Sequence, residues 1–235
     1  MALLIGKRYR PKLEKALINQ GFRVFWMPDN AALDPRLASH ADLSALRLDS
    51  ERGDKMVILS GNVRWSDELV SYLINNRYII KPAVSIQTPT YPGDASLCAC
   101  AVGNRLIHNS RVSDAAVLHE ICGEYIDVRQ GYAKCSVCAV DDDSIITADS
   151  GIASAAKKAG ISVLQISPGH IALDGFDYGF IGGASFRCGS AVYFTGSLDA
   201  HPDGICIADF ISSRSKTSVS LTNEPLFDIG SAVVL

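Results

Sequence analysis

A short element recurs five times along the chain: a Gly or Ser, one variable residue and an Ala, opening a stretch that reads as a β-strand. The copies are Ser39-His40-Ala41-Asp42, Gly93-Asp94-Ala95-Ser96, Gly131-Tyr132-Ala133-Lys134, Gly182-Gly183-Ala184-Ser185 and Gly230-Ser231-Ala232-Val233. Successive Ala residues stand about 38 to 54 residues apart, the length of one supersecondary unit each, and such units must pack on one another to bury their apolar faces. Equivalent strand starts in a closed ring converge on one axis. The variable positions beside each Ala would then face one another there.

Each copy continues alike. In the second, Ala95 to Val102 is a strand, Gly103-Asn104 a tight turn and Arg105 to Asn109 a returning strand, the pattern of a β-hairpin. The third runs Lys134 to Val140, an acidic turn Asp141-Asp142-Asp143, then Ser144 to Thr147, and the first has Asp42 to Leu48, a polar loop and Lys55 to Ser60. A helix follows each hairpin: Ser66 caps one reaching Asn75, Ser113 another, Gly160 closes a third, and Pro202 begins a fourth. A further strand follows every helix.

The fifth copy is split. Gly230 to Leu235 supplies a first strand with nothing after it, whereas Ala2 to Ile5, a helix near Pro11–Asn19 and Phe22 to Met27 supply the remainder. The expected fold class is therefore α/β: a five-bladed, pseudo-symmetric ββαβ propeller, one domain over residues 1–235, its fifth repeat shared between the N- and C-termini. Joining the termini leaves fewer exposed sheet edges.

The bulk numbers narrow the partners. Hydrophobic residues make up 48% of the chain, charged ones 20%, and the net charge is −3. No basic run points to nucleic acid, no stretch approaches the roughly 20 apolar residues that span a bilayer, and the first residues do not read as a secretory signal. A cytoplasmic location is expected; the oligomeric state is left open. Seven cysteines without an export signal favour reduced thiols. Residues three apart on a strand face opposite ways, so Cys135 and Cys138 would not share a metal, and Cys98 and Cys100 read as small core residues.

A ring of five ββαβ units resembles the pentein fold, shared by arginine and agmatine deiminases, dimethylarginine hydrolases, glycine amidinotransferase and a ribosome anti-association factor. Gln130 to Ser136, Ile145 to Gly151, Phe180 to Ser185 and His201-Pro202-Asp203 look closest to an uncharacterised bacterial branch of that fold. The resemblance implies a Cys nucleophile in the last repeat, a His in the one before it, and carboxylates that hold a guanidinium. Here the last repeat has Gly230-Ser231-Ala232, the fourth Gly182-Gly183-Ala184-Ser185, and Lys134 stands where a carboxylate is expected. The ordinary arginine-modifying mechanism does not fit that pattern.

What remains at the axis is polar. Aligned on the Ala, His40, Asp94, Tyr132, Gly183 and Ser231 form one tier, and Asp42, Ser96, Lys134, Ser185 and Val233 fall two residues further on. The leading reading is a site for a small polar metabolite, anionic or zwitterionic, with Lys134 as charge partner and Asp94, Tyr132, Ser185 and Ser231 as hydrogen-bonding groups. The alternative is a thiol-dependent hydrolase or amidinotransferase-like enzyme using Cys135, with His40 or His170 as base and Asp42 or Asp94 as orienter. Simple strand alternation turns Cys135 away from the axis, so this reading needs a local distortion near Gly131. His201 reads as a helix cap. His40-x-Asp42 alone is too short a pattern for a metal, so no metal site and no cofactor are expected.

Overall fold

The computed structural model describes residues 1–49, 53–121 and 123–235. Strand β1 (Ala2–Gly6) leads through a 3-10 turn into α1 (Arg10–Asn19) and β2 (Arg23–Met27). The next unit is β3 (Ala45–Asp49), β4 (Lys55–Leu59), α2 (Asp67–Asn75) and β5 (Ile79–Pro82), followed by β6 (Cys100–Val102), β7 (Arg105–His108), α3 (Ala115–His119) and β8 (Glu124–Asp127). A short α4 (Ala133–Ser136) precedes β9 (Val137–Ala139), β10 (Ser144–Thr147), α5 (Ser150–Lys158) and β11 (Ser162–Gln165). The last full unit is β12 (Ser185–Cys188), β13 (Ala191–Phe194), α6 (Gly204–Ser213) and β14 (Thr217–Ser220), and β15 (Val233–Val234) ends the chain.

Five three-stranded sheets result, each an antiparallel hairpin with a parallel third strand. The split unit is one of them: Leu3 lies opposite Val234 and Leu4 opposite Val233, so the two termini zip into one sheet. β3, β6, β9, β12 and β15 are the inner strands. Neighbouring blades share apolar seams, Leu46, Leu48 and Ile58 against Leu97, Ala99 and Leu106 in one, Cys100, Val102 and Ile107 against Val137 and Ile145 in the next. Each fully buried Leu or Ile contributes about 1.5–3 kcal/mol, and the alternation of strand residues sets which side of the blade supplies it.

Local signals place the helices. Ser66 accepts from the Leu69 N–H at 3.2 Å, with Asp67 and Glu68 in the positive first turn of α2. Asp149 caps α5 through the Ile152 N–H, and Gly160, at φ +78°, ends it. Two starts differ from the sequence expectation. Asp114, not Ser113, caps α3, because its carboxylate takes the Ala116, Val84 and Ser85 N–H groups together, while Ser113 bonds His108 and Tyr125. α6 begins at Gly204, two residues beyond Pro202. The polar loop of the first repeat includes residues 50–52, which lie outside the described residues, as does Cys122. Among the described residues no helix is long and apolar enough to cross a membrane.

The largest departure concerns the repeated element itself. It leads straight into a strand only in the fourth and fifth copies, at Ser185 and Val233. In the other three, Ala41–Leu43 is a 3-10 turn, Ala133–Ser136 a helical turn and residues 91–94 a turn, and the strands begin later, at Ala45, Val137 and Cys100. In a helical turn residues three apart share a face, whereas residues two apart do not. This change of period, from two to about three, decides what reaches the axis.

Candidate active site

The turn Tyr132 to Ser136 carries Tyr132 and Cys135 to one side and Lys134 to the other. Its backbone is pinned by the Lys134 N–H to the Cys98 carbonyl at 2.9 Å and the Gly183 N–H to the Cys135 carbonyl at 2.8 Å. The first repeat does the same with His40 and Leu43. Cys135 is thus a core residue turned from the axis, 3% exposed among Leu33, Leu37, Leu43 and Cys98, and it also borders a cavity.

Two cavities meet this assembly from opposite sides. The first, about 140 Å³, is the axial funnel proper, lined by residues of all five inner segments, among them Asp42, Arg47, Lys134, Arg187 and Val233. Lys134 Nζ donates to Ser231 Oγ at 2.8 Å. The second, about 160 Å³, is walled by Leu37, Leu43, Leu173, Phe176, Tyr178 and Phe180, with His40, Tyr132, Cys135 and Asp228 as its polar members. Asp42 belongs to the first cavity and Cys135 to the second, and they touch: Cys135 Sγ donates to Asp42 Oδ2 at 2.8 Å.

Around that contact lies a dense buried cluster. Cys98 Sγ is 3.7 Å from both Cys135 Sγ and Asp42 Oδ2. A ring nitrogen of His40, a carboxylate oxygen of Asp228 and Cys135 Sγ all lie within 4.8 Å of one another, with His40 Nδ1 4.0 Å from Asp228 Oδ1. Asp228 is fixed by the Phe180 N–H on one oxygen and the Gly230 N–H on the other, each at 2.9 Å. Gly183 is required here because a β-carbon at that position would overlap the Asp228 carboxylate. Gly182 likewise lets the chain pass close over the backbone carbonyls of Lys134, Cys135 and Val137.

Burial shapes the electrostatics. Asp42, 2% exposed, has its pKa raised to about 7 by desolvation, opposed by the Cys135 and Cys98 thiols and by Lys134. Cys135 is pushed well above the ordinary thiol value, first by its contact with Cys98 and then by burial and the Asp42 charge. Burial raises Cys98 and lowers His40. At neutral pH the resting cluster thus holds protonated thiols and a neutral imidazole. His40 Nε2 and Asp42 Oδ1 are buried and have no hydrogen-bond partner, and such orphans are costly unless something meets them.

The residues named from sequence divide as follows. His40, Asp42 and Cys135 come together in the cluster. Tyr132 donates to Asp94 Oδ2 at 2.6 Å, and burial raises both their pKa values. Ser231 meets Lys134 and donates to the Ser185 carbonyl at 2.8 Å. The Ser185 hydroxyl is turned back on the Ile181 carbonyl at 2.7 Å and is consumed there. His170 is exposed and stacks edge-on to His201 at 5.4 Å, away from the cluster. His201 accepts from the Asp203 N–H, as a cap does.

Two members were not anticipated. Cys98 reads as core on a strand, but it sits in a turn closed by its own N–H on the Ala95 carbonyl. Asp228 precedes the fifth copy by two residues; Asp-x-Gly is the pattern of a carboxylate accepting from the N–H two residues on, so a signal was present.

A sequence model for the family of unknown function DUF6873 matches residues 4–233. The chain belongs to that family. No curated protein sequence matches it. Among solved structures the DUF6873 chain is similar to an agmatine deiminase from C. jejuni at 11% identity and TM-score 0.53, covering 94% of this chain and 86% of that one. It is similar to a DDAH from Pseudomonas aeruginosa, a cysteine-to-serine mutant complexed with citrulline, at 9% identity and TM-score 0.51, covering 98% and 95%. A structure assigned to peptidyl-arginine deiminase aligns at 9% identity and TM-score 0.58, covering 100% and 95%. The fold is the pentein fold.

Proposed function

We propose that this DUF6873 protein is a thiol-dependent enzyme whose nucleophile, Cys135, sits in the third repeat rather than the last. The observation that carries the reading is the meeting of Cys135, His40 and Asp228 at one cavity, with Asp42 bonded to the thiol from behind. A carboxylate with pKa about 7 is matched to accepting a proton near neutral pH. As Cys135 Sγ bonds to an electrophilic carbon, its proton passes to Asp42. Asp42 then delivers that proton to the departing nitrogen, and neutral His40 takes a proton from the water that attacks the thiol adduct and returns it to the Cys135 sulfur as the adduct breaks. The thiol and both carboxyl groups return to their starting states.

The cavity suggests the substrate class. Its walls are leucines and three aromatic rings, and its polar end carries acceptors rather than cations. A small molecule with an apolar body and a nitrogen-rich carbon head, such as an amidine, guanidine or urea, would place its N–H donors on Asp228, the carboxylate that lines this cavity. The sequence-level objection to a guanidinium rested on Lys134, whose ammonium lies on the opposite side, bonded to Ser231. A panel of small amidines, guanidines and ureas tests the reading through release of ammonia or amine. Turnover of at least one that Cys135→Ser abolishes is expected. Turnover surviving in Cys135→Ser would refute the assignment.

A second reading keeps its own support. Lys134, Arg47 and Arg187 around the axial funnel would suit a small anionic or zwitterionic metabolite bound there without chemistry.

A further inference from the structure

The cluster contains more donor atoms than thiol catalysis uses. Cys98 has no part in the proposed chemistry, yet its sulfur stands 3.7 Å from Cys135 Sγ and 3.7 Å from Asp42 Oδ2. We propose that Cys98, Cys135 and Asp42 form a binding site for a thiophilic divalent metal ion such as Zn²⁺, with a ligand from the cavity completing the coordination.

The argument is geometric. Two thiolates on one tetrahedral zinc, with Zn–S bonds of about 2.3 Å, hold their sulfurs about 3.8 Å apart. The observed 3.7 Å is that separation without any movement. A thiolate and a carboxylate oxygen on the same ion stand about 3.5 Å apart, which the Cys98–Asp42 distance of 3.7 Å meets. Only the Cys135–Asp42 contact, 2.8 Å as a thiol hydrogen bond, must open by about 0.7 Å once the proton leaves.

A second observation points the same way. Asp42 Oδ1, on one of the three proposed ligands, is buried with no hydrogen-bond partner. Two sulfurs and one carboxylate form a donor set suited to zinc rather than to magnesium or calcium. Such binding occupies Cys135 Sγ, so metal-loaded protein is unable to carry out the thiol chemistry proposed above. The metal site does not depend on that chemistry being real.

The test is a Co²⁺ and Zn²⁺ titration of the reduced full chain in a Cys206→Ser background, which removes the exposed thiol. Co²⁺ should produce a thiolate-to-cobalt charge-transfer band at one ion per chain with release of about two protons, one per thiol, and Zn²⁺ should abolish the band without further proton release. Cys98→Ala and, independently, Asp42→Asn should each weaken binding more than about tenfold, with folding checked by thermal unfolding. Absence of the band, or a band unchanged in both variants, overturns the site. Alkylation of Cys135 in metal-free Cys98→Ala separates the two ideas: retained alkylation with no metal band leaves the thiol reading standing, and a metal band with inert Cys135 leaves only the metal site.

Discussion

Replacing Asp42 by Asn should change the slope of stability against pH, and the size follows from its surroundings. The unfolded chain loses the Asp42 proton near the ordinary value of 3.8, whereas the folded protein keeps it to about 7. Between those values the folded state binds more protons, so its stability falls as pH rises and levels off above about 7. At about 1.4 kcal/mol per unit, allowing for half-titration at the upper end, the wild-type protein loses about 2 kcal/mol from pH 5 to pH 7 through this group. Asn has no such titration. His40, lowered by burial, acts in the opposite sense, stability rising with pH up to its unfolded value of 6.5; its charge partners are Asp228 and Arg8, not Asp42, so it cancels in the comparison. Urea unfolding of both proteins at pH 5 and pH 7 reads the difference. A shift of about 2 kcal/mol toward the variant on going to pH 7 is expected. A difference that stays constant to within about 0.5 kcal/mol would mean that Asp42 is not held protonated.

Other positions give independent checks. Gly183→Ala should displace the Asp228 carboxylate and cost about 2 kcal/mol or more in thermal or urea unfolding, because the new methyl meets packed polar atoms. Tyr132→Phe leaves the buried Asp94 carboxylate without its 2.6 Å donor and should cost about 1–3 kcal/mol. Lys134→Ala should abolish thermal stabilisation by any anion that binds the axial funnel; an unchanged shift would remove Lys134 from that second reading. Ser66→Ala, at the start of α2, should cost about 1 kcal/mol through the lost cap.

The architecture was legible because the repeat and the split fifth unit are properties of spacing, and spacing survives when individual residues vary. The Leu3–Val234 pairing follows from them directly. The site was less legible, for one reason with several consequences. Gly-x-Ala reads as a strand start with a period of two, whereas in the first three copies the backbone coils there before the strand. Lys134 still reaches the axial funnel with Asp42 and Ser231, and Cys135 and Cys98 are core residues as expected, but the coiled backbone brings both thiols to Asp42, which a strand reading hides. Asp228 escaped because it lies before, not after, its repeat, although the Gly230 N–H it captures was within reach of an Asp-x-Gly reading. Cys98, Asp42 and Cys135 come from three different turns, and no local pattern announces a contact of that kind.

The account turns on a Cys135 that small nitrogen-rich molecules can reach. Mass spectrometry of the reduced, metal-free protein treated in parallel with 2-chloroacetamidine and 2-chloroacetamide measures this directly, with exposed Cys206 as internal reference. The amidinium should pair with the carboxylates beside Cys135, so the ratio of amidine to amide alkylation rates at Cys135 should exceed that at Cys206 by more than about tenfold, a gain of about 1.4 kcal/mol. Equal ratios at the two cysteines, or a Cys135 that reacts no faster than buried Cys100 and Cys138, would contradict the account.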